Sequence, residues 1–273
     1  MFVTIKESPL LPGVSPVTLY YRDSGSGFVP LVFLHGGWGY DIYLFDEQIV
    51  EFGSRLKIII PDRSGYGKSP RIDEQPANFH RCAAEETLAL LDALEVDRAI
   101  LWGHSDGAVI AAIMGLVAPD RFIGLIMEAF HYDRAKKSSR QFFETMATDP
   151  GKLGERVAAE LASHHGADYW EHLIRINGRA WLRIARESDQ PENDFYLGKL
   201  YELRVPALFI HGRSDPRTEP GEMESVQAQL PNSKVRFIEG AGHSPHSERL
   251  YAAESNRIAR EFLASLTSNA SRG

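Results

Sequence analysis

The chain has 273 residues, 43% hydrophobic and 25% charged, with a formal charge of −7 and a pI near 5.8. This length and balance suit a soluble globular fold with a large core, and the acidic surplus speaks against nucleic acid, whose phosphates call for a basic surface. The single cysteine excludes an intramolecular disulfide and fits a reducing, cytoplasmic setting. No basic-then-apolar leader opens the chain, and no run of about 18 apolar residues is present, so no membrane partner is expected.

In chain order, Val17–Arg22 reads as a strand, followed by a turn cluster at 23–27. Leu31–Leu34 is a short apolar run ending at His35-Gly36-Gly37, as a buried strand would. Apolar residues at 42, 45, 49, 50 and 52 predict a helix over Asp41–Arg55. Leu56–Ile60 is β-branched and stops at Pro61. Phe79–Leu94 predicts an amphipathic helix. Cys82 lies near its start without a Gly-rich turn, so it reads as a structural thiol.

Ala99–Trp102 is the next strand, Gly107–Val117 a buried helix and Phe122–Met127 a further strand. Pro206–His211, Glu222–Leu230, Lys234–Ile238 and Ala252–Leu266 then alternate strand, helix, strand, helix. This alternation predicts an α/β fold with a mostly parallel sheet covered on both faces. Residues 131–204 break the pattern, with short helices expected at Phe142–Met146, Leu153–Ala162 and Tyr169–Ile184. The organisation expected is a core of 1–130 and 205–273 with a helical cap at 131–204. The small polar tail from Ser265 to Gly273 is expected to fray.

The strongest chemical signal is Gly103-His104-Ser105-Asp106-Gly107, which fits G-x-S-x-G between a strand and a helix. Glycines two residues before and after the serine let a sharp turn close and present Oγ at a helix N-terminus. A serine hydroxyl needs a base. Of the ten histidines, His243 in Gly240-Ala241-Gly242-His243 follows the last strand on a glycine-rich loop, and His246 is its rival. His104 adjoins the serine but should point away from Oγ, and His211 reads as a packed residue.

The base needs an acid to orient it. Asp215 follows a strand directly, and Ser105, Asp215, His243 is the order expected for hydrolases with this serine turn. Glu128 is the rival acid, otherwise a buried, paired carboxylate. Two N–H donors for the developing oxyanion are expected from Asp106 and from Gly37, with Trp38 as the alternative to Gly37. Asp62–Ser69 lacks the first glycine of a phosphate-binding loop and reads as a structural loop beside the serine turn. His164-His165 and His243-x-x-His246 lack the carboxylate or cysteine partners of a metal site, so no metal or other cofactor is expected.

Together the motifs HGGWG at 35–39, DRSGYGKS at 62–69, GHSDG at 103–107, HGRSD at 211–215 and GAGH at 240–243 resemble the α/β-hydrolase superfamily over essentially the whole chain. The serine at 105 departs from dehalogenases and epoxide hydrolases of that fold, whose nucleophile is an aspartate. Asp106 and the segment 166–170 (GADYW) resemble the valacyclovir-hydrolase (biphenyl-hydrolase-like) group. There the acid after the nucleophile holds a substrate amino group. The resemblance implies an α-amino acid ester as substrate, whereas the residue alone is equally read as favouring a helix N-terminus, a contribution of roughly 0.3–1 kcal/mol.

The expected function is therefore hydrolysis of a small-molecule carboxylic ester, aminoacyl esters and amides included, through an acyl-enzyme. A C–C bond hydrolase, a cofactor-free perhydrolase and a non-catalytic ligand receptor are the alternatives. Trp38, Tyr40, Trp170 and Trp181 are candidates to line an apolar substrate pocket.

Overall fold

The computed structural model describes residues 1–270, with side chains to Leu266. Its centre is an eight-stranded sheet in the order β1-β2-β4-β3-β5-β6-β7-β8. The strands are β1 (Phe2–Ile5), β2 (Val17–Gly25), β3 (Pro30–Leu34), β4 (Lys57–Pro61), β5 (Ala99–His104), β6 (Phe122–Glu128), β7 (Ala207–Gly212) and β8 (Lys234–Ile238). β1 pairs antiparallel with β2, and β2 antiparallel with β4; the other pairings are parallel.

The parallel strands are apolar because both of their faces are covered. Val32, Leu34, Leu101, Leu125 and Met127 face one core, with α2 (Phe79–Ala93) and α3 (Asp106–Val117). Leu31, Phe33, Ile100, Trp102 and Ile126 face the other, with α1 (Asp46–Phe52) and α8 (Ala252–Ala270). Each wholly buried Val, Leu, Ile or Phe contributes roughly 1.5–3 kcal/mol, so these runs hold the sheet in register. Cys82 is free and buried on α2, as expected of a structural thiol.

Three expectations need correction. β1 lies in a stretch left unassigned; it is short, and only Ile5 is buried, so it carries little alternation. The first helix is half the length expected: residues 41–45 form turns, with Tyr43 N–H donating to Tyr40 O, and Asp41 tied to Arg22 at 2.9 Å. The burial of Tyr40 and Phe45 comes from their stacking, not from a helical face. α8 continues through Ala270, beyond Leu266; of the tail expected to fray, 271–273 lie outside the described residues.

Between β6 and β7 come α4 (Arg140–Thr148), α5 (Glu155–His165) and α6 (Trp170–Arg186). α7 (Glu222–Gln229) follows β7. A fully buried ion pair ties the start of this helical segment to α7. Lys136 Nζ lies 2.8 Å from Glu222 Oε1, which also accepts the N–H groups of Tyr132 and Asp133.

Candidate active site

β5 feeds α3 through a turn at Ser105, whose φ of 55° and ψ of −119° lie in a region that L-residues rarely adopt. The flanking glycines are required by space. A Cβ at Gly103 would sit 2.1 Å from Gly107 O, and one at Gly107 would sit 2.0 Å from Leu34 O. The turn is held open by Ser105 N–H donating to Glu128 O at the end of β6.

Loops after three strands converge on Oγ. His243 Nε2 is 3.1 Å from Ser105 Oγ, and His243 Nδ1 is 3.0 Å from both carboxylate oxygens of Asp215. Asp215 is buried, which alone would raise its pKa. The charge and hydrogen bond of His243, then His211 and the Arg217 N–H, outweigh this and hold the carboxyl well below its usual range. His211 is packed, as expected, with Nε2 bonded to Thr218 Oγ1 and 3.6 Å from Asp215; burial lowers its pKa to about 4.

The two rivals pair with each other. His246 Nδ1 bonds Glu128 Oε1 at 2.5 Å, and its Nε2 donates to Tyr43 O, both side chains being fully buried. His104 Nε2 donates to His243 O, pointing away from Oγ as expected. His104, Glu128 and His246 thus lie within 4.8 Å of one another. This corrects the expectation that no carboxylate joins His246. The hydrogen bonds of this cluster already use both ring nitrogens of His246, which an ion would need.

Asp106 opens α3 with its side chain inward. Oδ1 accepts His80 Nε2–H at 3.0 Å and Trp181 Nε1–H at 3.1 Å, and Oδ2 lies 3.5 Å from Asn177 Nδ2. These donors and Arg63 offset the cost of burial, so the carboxyl pKa is lowered and the group stays ionised. It therefore joins α3 to α2 and to α6.

Gly37 sits directly across from it. A Cβ there would lie 2.8 Å from Asp106 Oδ2 and 3.0 Å from Asn177 Oδ1, so any side chain at 37 would have to displace these polar groups. The loop 62–69 shapes this strand end. Buried Arg63 donates to His35 O at 2.5 Å and to Gly36 O at 3.1 Å, which turns those carbonyls towards the guanidinium.

Ser105 and His243 open onto a narrow cavity lined also by Trp38, Phe142, Asn177, Trp181 and Arg217. Of the four aromatic candidates, Trp38 and Trp181 line this cavity. Tyr40 and Trp170 do not: Tyr40 is buried against Phe45, and Trp170 packs in the α2–α3 core. Both are large aromatics spent on packing.

Residues 31–253 match the alpha/beta hydrolase family. The chain belongs to that family. Among its relatives is human serine hydrolase BPHL, 25% identical over 92% of this chain and 84% of that protein. Esterase YbfF of Escherichia coli is 23% identical over 81% of this chain and 88% of its own length. An esterase from Thermogutta terrifontis superposes with a TM-score of 0.74 at 22% identity, covering 97% of this chain and 99% of that one. A Bacillus megaterium epoxide hydrolase gives a TM-score of 0.73 at 19% identity, with coverages of 97% and 100%. The weak likeness to the BPHL group inferred from Asp106 is thus matched at sequence level, and the architecture is the alpha/beta hydrolase fold.

Several side chains of this alpha/beta hydrolase's cavity are not marked by the sequence, and two of them bring polar groups to the serine's surroundings. His131 Nε2 lies 3.2 Å from Ser105 Oγ, and Arg217 brings a cation to the wall. His131 follows β6 by only three positions, where a strand end faces the same edge as Ser105 and Asp215. That placement was the available signal. Arg217 sits in a loop with no periodicity to read.

Proposed function

We propose that the protein is a serine hydrolase that cleaves carboxylic esters through an acyl-enzyme, with residues 131–204 as a cap over the site. The chain of contacts from Ser105 Oγ to His243 Nε2 and from His243 Nδ1 to Asp215 carries this reading. Oγ bonds to the carbonyl carbon while His243 takes its proton, and the carbonyl electron pair moves to oxygen. The N–H groups of Gly37 and Asp106 receive that oxyanion. Such donors, fixed in a water-poor site, contribute roughly 2.7–4 kcal/mol each to the transition state. His243 then protonates the departing alkoxide. Water enters, gives a proton to His243 and attacks the acyl carbon, and Oγ leaves with that proton.

On the substrate side, the three donors already bound to Asp106 favour its role as a structural tie over capture of an amine. Arg217 favours the opposite charge. Its guanidinium lies over the Phe142 ring and has no hydrogen-bond or ion-pair partner among the described residues. An ester bearing a carboxylate would supply one. The lone buried cysteine supports a reducing, cytoplasmic setting, and no helix among the described residues is long and apolar enough to cross a membrane.

A fluorophosphonate probe and p-nitrophenyl acetate test the reading. Ser105 should be the labelled residue, and Ser105→Ala should abolish both labelling and turnover. Labelling elsewhere, or turnover retained in Ser105→Ala, would overturn it. Ligand binding without any turnover would favour a receptor.

A further inference from the structure

Ser105 Oγ has two imidazole neighbours, and a hydroxyl has one proton. His243 Nε2 is 3.1 Å away and His131 Nε2 is 3.2 Å away. Because His243 Nδ1 faces the Asp215 carboxylate at 3.0 Å, it carries the ring proton, which leaves Nε2 as an acceptor. The Oγ proton is therefore directed to His243. If His131 Nε2 were also unprotonated, two lone pairs would face each other across 3.2 Å in a buried site. The contact is satisfied when His131 Nε2 carries a proton and donates it to an Oγ lone pair.

The ring is placed there by several independent restraints. Ala129, two residues earlier, has φ 51° and donates its N–H to Ile210 O, which turns the chain inward after β6. Tyr196 Oη–H donates to His131 O at 2.7 Å. The ring meets Trp181 edge-on at 5.2 Å and lies nearly parallel to His243 at 5.9 Å. It is 4% exposed. Burial, with the charges of Lys136 and His243 adding, holds its pKa well below the usual imidazole range, so it does not compete as a base at neutral pH.

We propose that His131 is a catalytic residue: an Nε2–H imidazole that donates to Ser105 Oγ and steadies the negative charge this oxygen carries as it attacks and, above all, as it leaves the acyl-enzyme. This rests on the serine-hydrolase reading. In acylation the Oγ proton passes to His243 as the bond to carbon forms. In deacylation the bond between the acyl carbon and Oγ breaks, its electron pair goes to Oγ, and the proton that His243 took from water follows. His243 must serve both water and Oγ in that step. His131 keeps its own proton throughout and stabilises Oγ until the transfer is complete.

Two measurements test this. In ¹H–¹⁵N spectra of the histidine side chains at neutral pH, His131 should be the Nε2–H tautomer and His243 the Nδ1–H tautomer. An Nδ1–H tautomer for His131 overturns the proposal, and this readout needs no turnover. With p-nitrophenyl acetate, His131→Leu should lower kcat about 10- to 100-fold without raising KM, which falls alongside kcat as the acyl-enzyme accumulates. Its initial burst of p-nitrophenol should become more pronounced, because deacylation slows more than acylation.

His131→Gln, which offers an amide N–H from a similar distance, should recover part of the loss. Thermal melting and fluorophosphonate labelling of Ser105 verify that each variant is folded. Unchanged kcat in a folded His131→Leu, a loss confined to KM, or a Gln variant no better than Leu overturns the proposal. Wild-type protein that neither labels at Ser105 nor cleaves esters instead overturns the serine-hydrolase reading, and the tautomer measurement still decides the His131 hydrogen bond.

Discussion

Replacing Asp215 by Asn tests the proposed orienting acid most directly. The carboxylate is buried and meets His243 Nδ1 through both oxygens at 3.0 Å. Two effects are lost together. The first is attraction to the imidazolium formed as Ser105 attacks, which for unit charges about 4 Å apart at an effective dielectric near 20 is about 4 kcal/mol. The second is the tautomer: an Asn amide can donate to Nδ1, which moves the ring proton to Nε2 and removes the lone pair that Oγ–H needs. Together these predict a fall in kcat of up to about 10⁴-fold, or about 5.5 kcal/mol.

The assay is single-turnover and steady-state hydrolysis of p-nitrophenyl acetate, with melting curves to verify folding. A folded Asp215→Asn that retains more than about a tenth of wild-type kcat, or that loses only KM, would refute the reasoning. Glu128→Gln is the matched control. Because Glu128 holds His246 and not His243, its loss should lower stability much more than kcat.

Other consequences follow from the same geometry. His211 is buried with its pKa lowered to about 4, so below the unfolded imidazole value near 6.5 the unfolded chain binds a proton that the folded one refuses. Its contribution is complete above about pH 6.5 and is lost as pH falls towards 4, at a cost of about 3 kcal/mol from this residue. Urea unfolding of the wild type and of His211→Gln at pH 7 and pH 4.5 separates it from the other buried histidines, and an equal loss between the two pH values in both proteins would contradict the burial argument. Lys136→Met leaves Glu222 charged and unpaired in the core; breaking such a pair should cost roughly 3–5 kcal/mol in urea unfolding, and a loss under about 1 kcal/mol would show that water reaches the site. Arg217→Met should reduce kcat/KM for p-nitrophenyl hemisuccinate about tenfold more than for p-nitrophenyl butyrate, the scale of one charge-assisted hydrogen bond; equal reductions would remove the anionic-ester preference.

The fold was largely legible in the sequence because its signals are local. Apolar runs such as LVFL at 31–34 and AILW at 99–102 mark strands covered on both faces, and the glycines at 103 and 107 mark a turn that admits no Cβ. Chain order and turn chemistry singled out Ser105, Asp215 and His243, residues far apart in sequence that the structure brings into contact. Neither source of signal was available for β1, which buries little, or for residues 41–45, whose apolar spacing imitates a helix while serving an aromatic stack.

What only the tertiary structure decided is the pairing of buried polar groups. Sequence offered two acids and two histidines; packing joined His243 to Asp215, and His246 to Glu128. The Asp106 side chain, open to two readings in the sequence, meets His80, Trp181 and Asn177 from two other helices. His131 reaches Ser105 Oγ only because β6 ends beside β5. A residue type and its local spacing determine which conformations the backbone takes. Which donor finds which acceptor depends on distances between elements remote in the chain, and no local pattern encodes them.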